Sequence, residues 1–312
     1  MKNALQKPRI VVVGSSNTDM VVKSAHIPVA GETVLGGEFV MAAGGKGANQ
    51  AVAAARLGAD VTFVARVGDD LFGRTAIESF SREGIVADYV TKDLQKPSGV
   101  ALILVDKRGE NIISVAPGAN AELSPDDVRK ARPAIERADV VVIQLEVPLE
   151  TVAEAARVGA ESGAAVILNP APAQTLDDRI LRHVTVLTPN ETETEILTGI
   201  TLRDPADHGK AAAELRRRGV QTVVITLGGS GSYLYTGERG MVIPTVKIQP
   251  VDTTAAGDAF NGALAVALGE GQGLEQAVRF ANLAGAFAAT RLGAQPSLPR
   301  KAELSQPFGK AR

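Results

Sequence analysis

Residues 139–170 read DVVVIQLEVPLETVAEAARVGAESGAAVILNP. From Asp139 to Glu146 the apolar residues are continuous rather than alternating, which is what a strand covered on both faces requires. A helical stretch then runs from Pro148 and closes on Gly163, a residue suited to a helix C-terminal cap. A second continuous apolar run, AAVILNP, follows at once. Strand, helix, strand in this form reads as one unit of a parallel sheet with a helix laid over it.

The same rhythm extends in both directions. RIVVVG (9–14), VTFVARVG (61–68), VTVLTPN (184–190) and TVVITLG (222–228) read as further strands. GANQAVAAARLG (47–58), FGRTAIESFSREG (72–84) and PADHGKAAAELRRRG (205–219) read as helices. The expectation is an α/β fold, a doubly wound and mainly parallel sheet with helices on both faces, binding ligands beyond the C-terminal ends of its strands. Residues 18–44 and 97–116 lack a helical period, and the second reads as a hairpin turning at Lys107 to Glu110. Two such insertions, with apolar alternation at Val100, Leu102 and Leu104, predict a small second sheet, too thin to fold alone but placed to cover a site as a lid. No repeat, low-complexity tract or linker divides residues 1–312, so one domain is expected.

Charge and composition narrow the function. With 33 Lys plus Arg against 35 Asp plus Glu, there is no basic field for nucleic acid and no polybasic patch for a membrane. The partner is expected to be a small molecule. No cysteine is present, which removes disulfides, thiolate metal sites and thiol nucleophiles and fits a reducing cytoplasm. His26, His183 and His208 are scattered without zinc-site spacing and read as surface or capping residues. The opening MKNALQKPR is short and polar, so neither a signal peptide nor a spanning helix is expected there.

Three glycine-rich readings fail. GGKG at 44–47 is followed by no Ser or Thr, as a Walker A loop requires; no G-x-G-x-x-G follows a strand; GGSGS at 228–232 misses the G-x-S-x-G nucleophile elbow. What remains is DTTAAGDAF at 252–260, just before the apolar run ALAVAL. Ala255, Ala256 and Gly257 carry no bulk, so their N–H groups and that of Asp258 can face an anion at a helix N-terminus. A carboxylate at such a place makes chemical sense as the base that removes a proton from a hydroxyl attacking a phosphate. Read alone, Asp258 fits equally a first-turn acidic residue, worth about 0.3–1 kcal/mol to the helix.

DTTAAGDAF and AAGGKGANQA (42–51) resemble the C-terminal and N-terminal signatures of the ribokinase-like (PfkB) carbohydrate kinase family. GSSNTD (14–19), VGDD-x-FG (67–73), QLE (144–146), LNPAPA (168–173), TPNETE (188–193), TLGGSG (226–231) and GAQPS (293–297) extend the resemblance over nearly the full length. It implies that Asn17, Thr18, Asp19, the loop Gly45, Lys46, Gly47, Ala48, Asn49, and Glu146 hold a sugar. Asp258 would be the general base, and the backbone of Ala255, Ala256, Gly257 and Asp258 the anion hole. For ATP, it implies Asn190 near the phosphates, Glu193 organising Mg²⁺ largely through waters, and Thr226, Leu227, Gly228, Gly229, Ser230 and Gly231, with Gly257, along the nucleotide. Asn282 stands where some members have a histidine near the adenine. A K⁺ ion is implied beside the anion hole, at Asp252, Thr254, Ala288, Arg291, Gly293 and Ser297, an all-oxygen set that suits a hard cation.

The activity so implied is ATP-dependent phosphorylation of D-ribose at its 5-hydroxyl, by a homodimer joined through the lid sheet. A fructokinase or deoxyribose kinase on the same scaffold is the nearest alternative. A non-catalytic sugar sensor would have no need of a base at Asp258, and a dehydrogenase would need the missing dinucleotide fingerprint.

Overall fold

The structure, a computed structural model, describes residues 7–305. The residues at 1–6, on which the reading of the N-terminal segment chiefly rests, and those at 306–312 lie outside it. The chain opens with β1 (Arg9–Val13), β2 (Asn17–Lys23), β3 (Glu38–Gly44), α1 (Lys46–Arg56), β4 (Asp60–Gly68), α2 (Leu71–Arg82) and β5 (Val86–Asp93). It continues through β6 (Gly99–Val105), β7 (Asn111–Ala116), α3 (Pro125–Lys130), α4 (Arg132–Ile135), β8 (Val140–Ile143), α5 (Leu149–Glu161), β9 (Ala165–Leu168) and α6 (Asp178–Leu181). Then come β10 (Val186–Leu187), α7 (Glu191–Thr198), α8 (Pro205–Arg217), β11 (Thr222–Thr226), β12 (Ser232–Tyr235) and β13 (Gly240–Ile243). The helices α9 (Ala256–Gly269), α10 (Leu274–Ala288) and α11 (Lys301–Leu304) complete the described chain.

Nine strands form the main sheet, ordered β13-β12-β11-β10-β9-β8-β1-β4-β5. All pairs from β5 to β11 are parallel, and β12 and β13 close one edge antiparallel. The expected fold class is therefore present, with elements that the sequence patterns did not announce: the strands β5, β12 and β13, the long helix α10 and the short helices α3, α4, α6, α7 and α11. The stretch at 184–190 supplies only a two-residue strand, β10.

Alternate residues of β1 enter opposite cores. Ile10 and Val12 pack with α1, α9 and α10, whereas Val11 and Val13 pack with α3, α5 and α8. That double burial is why the strands read as unbroken apolar runs. Helix α9 lies across α1 at Gly262, where an added Cβ would stand 2.6 Å from the Cβ of Ala53. Successive strands run outward from β1 in both directions, through β4 on one side and β8 on the other, which makes the ends of β1 and β8 the topological switch point.

The two insertions form a second sheet of order β3-β2-β6-β7. β2 and β6 pair in parallel, and β3 and β7 flank them antiparallel; the β6–β7 turn spans residues 106–110. Asp70, the N-cap of α2, ties this sheet to the main one: its carboxylate accepts from the backbone N–H and the hydroxyl of Ser98, one residue before β6.

Candidate active site

Beyond β1 and β8 the chain gathers polar groups in a crevice. Gly45 adopts φ 88°, a region open to glycine, and this turns the chain from β3 into α1. The first N–H of α1, on Lys46, donates to Glu146 Oε2 at 2.9 Å, and the Ser15 hydroxyl donates to the same oxygen at 2.5 Å. A carboxylate on a helix N-terminus is electrostatically favoured, so Glu146 fixes the glycine loop as well as facing the crevice. Asn17 is fixed in the same way: its side-chain oxygen accepts from Asn120 Nδ2 at 2.7 Å. Asn120 also accepts from the Ser16 N–H, 2.9 Å away. Its role as a brace was not legible in the sequence, because it sits in an undistinguished turn after the lid.

Asp258 lies at the start of α9, 6% exposed. Its two oxygens accept from Asn49 Nδ2 and Gln50 Nε2, each at 2.9 Å. Burial pushes its carboxyl up to about 6, with Glu146 adding to the shift against the pull of Lys46, Asn49 and Gln50. Asp19 is likewise raised to about 6 by burial, then by Glu146 and Asp258. Burial alone would lower the Lys46 ammonium, but Asp258, Glu146, Glu193 and Asp19 outweigh it and raise its pKa, so the lysine stays charged. One cation thus faces four acids.

Ala255 precedes α9 with φ 59°, the sole non-glycine residue with positive φ among the described residues. Left-handed backbone costs a residue with a Cβ about 1–2 kcal/mol. Such strain marks functional backbone more often than chance allows. The Ala259 N–H donates to the Ala255 carbonyl, so the N–H groups of Gly257 and Asp258 precede the helical ladder. The Ala256 N–H is different: it donates to the Thr253 carbonyl at 3.2 Å, which removes it from the expected anion hole in this conformation.

On the other side of the α9 start lies a cavity of about 450 Å³. Thr226, Gly228, Gly229, Gly231, Gly257 and Asn282 line it, as expected of a nucleotide site, whereas Leu227 and Ser230 do not. Much of its remaining wall, with Val246, Ile248, Pro250, Phe260 and Ala286, is apolar and had no motif to betray it. Asn282 is a brace: its amide accepts from Ser232 Oγ at 2.6 Å and donates to the Ile243 carbonyl at 2.9 Å. Asn190 and Glu193 stand at the start of α7 as a reciprocal capping box, each accepting the other's backbone N–H at 2.8 Å. Glu193 is buried, and that burial raises its carboxyl against the Asn190 N–H and Lys46.

The Asp252 carboxylate accepts from the N–H groups of Thr254 at 2.9 Å and Gly293 at 2.8 Å, so it holds the 252–254 and 293–297 loops together. Ser297 Oγ donates to the Ala294 carbonyl, and the Arg291 side chain turns away to Glu303. Of the set expected at this place, Asp252 thus joins Thr254 and Gly293 through their N–H groups. Among the described residues no group of three or more His, Cys, Asp or Glu side chains could hold a metal by itself. Of the histidines, His26 pairs with Glu32 on the surface, and His208, half-buried with its ring against Tyr233, has Nδ1 3.1 Å from the Pro205 carbonyl in the first turn of α8. Among the described residues no helix is long and apolar enough to cross a membrane.

Comparison with known proteins agrees with this geometry. Residues 7–301 match the family described as pfkB family carbohydrate kinase. The chain is 43% identical to a ribokinase of Haemophilus influenzae over 94% of its own length and 96% of that protein's. It is 40% identical to a deoxyribokinase of Salmonella typhimurium, over 93% and 95%. The structure of Arabidopsis thaliana ribokinase complexed with ribose and ATP superposes with a TM-score of 0.89 at 33% identity, covering 96% of this chain and 98% of that one. With a family match that spans almost every described residue, the chain belongs to the pfkB family of carbohydrate kinases.

Proposed function

We propose that the protein transfers the γ-phosphoryl group of ATP to the 5-hydroxyl of D-ribose. The observation that carries the reading is the start of α9. Gly257 lines the large apolar cavity, while the next residue, Asp258, accepts a hydrogen bond from Asn49 of the sugar loop. One turn of helix thus joins a nucleotide-sized space to a crevice rich in hydroxyl-binding groups.

In this reading Asn17, through its free amide protons, Asp19, Asn49 and Glu146 hold the sugar hydroxyls. Asp258 takes the proton of the 5-hydroxyl as the oxygen forms its bond to phosphorus and the bond to the departing ADP breaks. The N–H groups of Gly257 and Asp258 and the Lys46 ammonium face the charge that develops on the transferring group. Glu193 would act on Mg²⁺ through waters, and Mg²⁺ would neutralise nucleotide phosphate charge in a centre where acids already outnumber lysine. K⁺ would sit at the loops that Asp252 clasps, sharpening the field at the anion hole; if turnover is unchanged when K⁺ is replaced by a bulky organic cation at equal ionic strength, that part fails. The absence of cysteine suits a cytoplasmic setting.

An ADP-release assay across D-ribose, 2-deoxy-D-ribose, fructose and other hexoses tests the substrate. Ribose should give the highest kcat/KM. A higher value for 2-deoxyribose would instead place the chain with its deoxyribokinase relatives, and ADP release independent of any sugar would refute both.

A further inference from the structure

We propose that Gln50 is a positioning residue for the reaction: it aims the Asp258 carboxylate and keeps it ready to accept a proton, without itself touching substrate. The inference rests on the reading of Asp258 as the base. Gln50 is 0% exposed and its amide is fully used. One Nε2 proton goes to Asp258 Oδ1 at 2.9 Å and the other to Asn169 Oδ1 at 3.1 Å, while Oε1 accepts from Gln144 Nε2 at 2.6 Å. A primary amide has two protons and one carbonyl oxygen, so nothing on Gln50 is directed to a ligand.

The amide is locked from behind. Because Gln144 donates to Oε1, the NH₂ end must face Asp258, and an ionised carboxylate can only accept there. Gln144 fills this role while its own Oε1 is buried with no partner. A buried oxygen left unpaired is destabilising, a cost that a network kept only for stability would avoid. The second arm runs on from Asn169, whose Nδ2 donates to the Thr188 carbonyl at 3.3 Å. Thr188 donates to Asn261 Oδ1 at 2.7 Å, and Asn261 Nδ2 donates to the Gly257 carbonyl at 2.8 Å. The chain of amides therefore fixes both the Asp258 carboxylate and the peptide that carries the anion-hole N–H.

The other groups around Asp258 set what Gln50 must counter. Glu146 after β8, Asp19 on β2 and Glu193 on α7 disfavour its charge, and Lys46 and Asn49 from α1 favour it. Without the Gln50 donor, ionisation of Asp258 loses one of its two hydrogen bonds.

Gln50→Met, close in volume and unbranched, removes the donor. Turnover at pH 7 should fall about tenfold or more, with KM for ribose and ATP within about twofold, and the acidic limb of the kcat–pH profile should move up by about one pH unit. A folded variant with unchanged limb and kcat within about threefold of the parent overturns the proposal. Should Gln50→Met not fold, the near-isosteric Gln50→Glu decides: its protonated form can still donate to Asp258 and its ionised form cannot, so activity relative to the parent should decline as pH rises. A ratio constant from about pH 4 to about pH 8.5, a span that begins near the ordinary glutamate value and runs well above it, counts equally against it. Asp258→Asn is measured beside these; if that variant stays active, the reading of the base fails rather than the role of Gln50.

Discussion

The proposed role of Asp258 as base has a measurable consequence. Asp258→Asn keeps the size of the side chain but removes the proton acceptor, so single-turnover phosphorylation of ribose should fall by roughly 10²- to 10⁴-fold. Near-parental turnover would remove the base assignment. Asp19 tests the electrostatics separately. Its carboxyl ordinarily titrates at 3.8 and is raised to about 6 in the fold. Between those values the folded state binds more protons than the unfolded one, so this group lowers stability as pH rises through the window, and the loss persists above it. Asp19→Asn should therefore raise thermal stability at pH 8, on the order of 1–2 kcal/mol after discounting for solvent screening. Near pH 4 the gain should vanish, while KM for ribose rises; equal melting shifts at both pH values would show that the raised carboxyl is not the cause. Asn49 and Asp258 were legible because each lies in a short motif. Gln50, Asn120 and Asn169 were not given roles, since a buried amide declares its function only through its partners.

At the scale of elements, the critical contact is the crossing of α1 and α9. The two helices carry Asn49, Gln50 and Asp258 from opposite sides, so their separation sets the hydrogen bonds at the base. Gly262 permits the close approach: a Cβ there would also meet the backbone N of Ala54 at 3.0 Å. Gly262→Ala should cost about 1–3 kcal/mol through overpacking and reduce kcat more than KM, measured by denaturant unfolding and initial rates. A stable variant with normal turnover would show that the helices can part without consequence. The helices α1, α2, α5 and α8 were read from their patterns and glycine stops. α10 was not, because its buried positions are largely alanine, and β12 and β13 were not, because four residues each, SYLY and GMVI, are too few to show a period.

At the scale of the molecule, the lid leaves apolar residues exposed on both of its faces. By register, Met20, Met41, Leu102, Phe39, Leu104 and Ile112 share one face, and Val21, Val40, Ile103, Ile113 and Val115 share the other with Asp19. Phe39 is 62% exposed and Ile113 54%. A thin sheet with apolar residues on both faces needs a cover, and a second copy of the chain joined lid to lid would supply it. Light scattering should then give a dimer at micromolar concentration and a monomer for Phe39→Glu with Ile112→Glu; a monomeric parent would end the proposal. The sequence by itself determined the parallel α/β architecture, the two lid insertions and the motif residues of the site, because double burial writes continuous apolar runs and close backbone approach writes glycine. Only the tertiary structure decided which amides face Asp258, that the Ala256 N–H is already spent, and that Asn282 braces the cavity wall: Asn49 and Gln50 lie 209 and 208 residues from Asp258 and Ser232 lies 50 from Asn282, partners that packing alone brings together, while the Thr253–Ala256 turn depends on the left-handed backbone of Ala255, which an alanine does not announce.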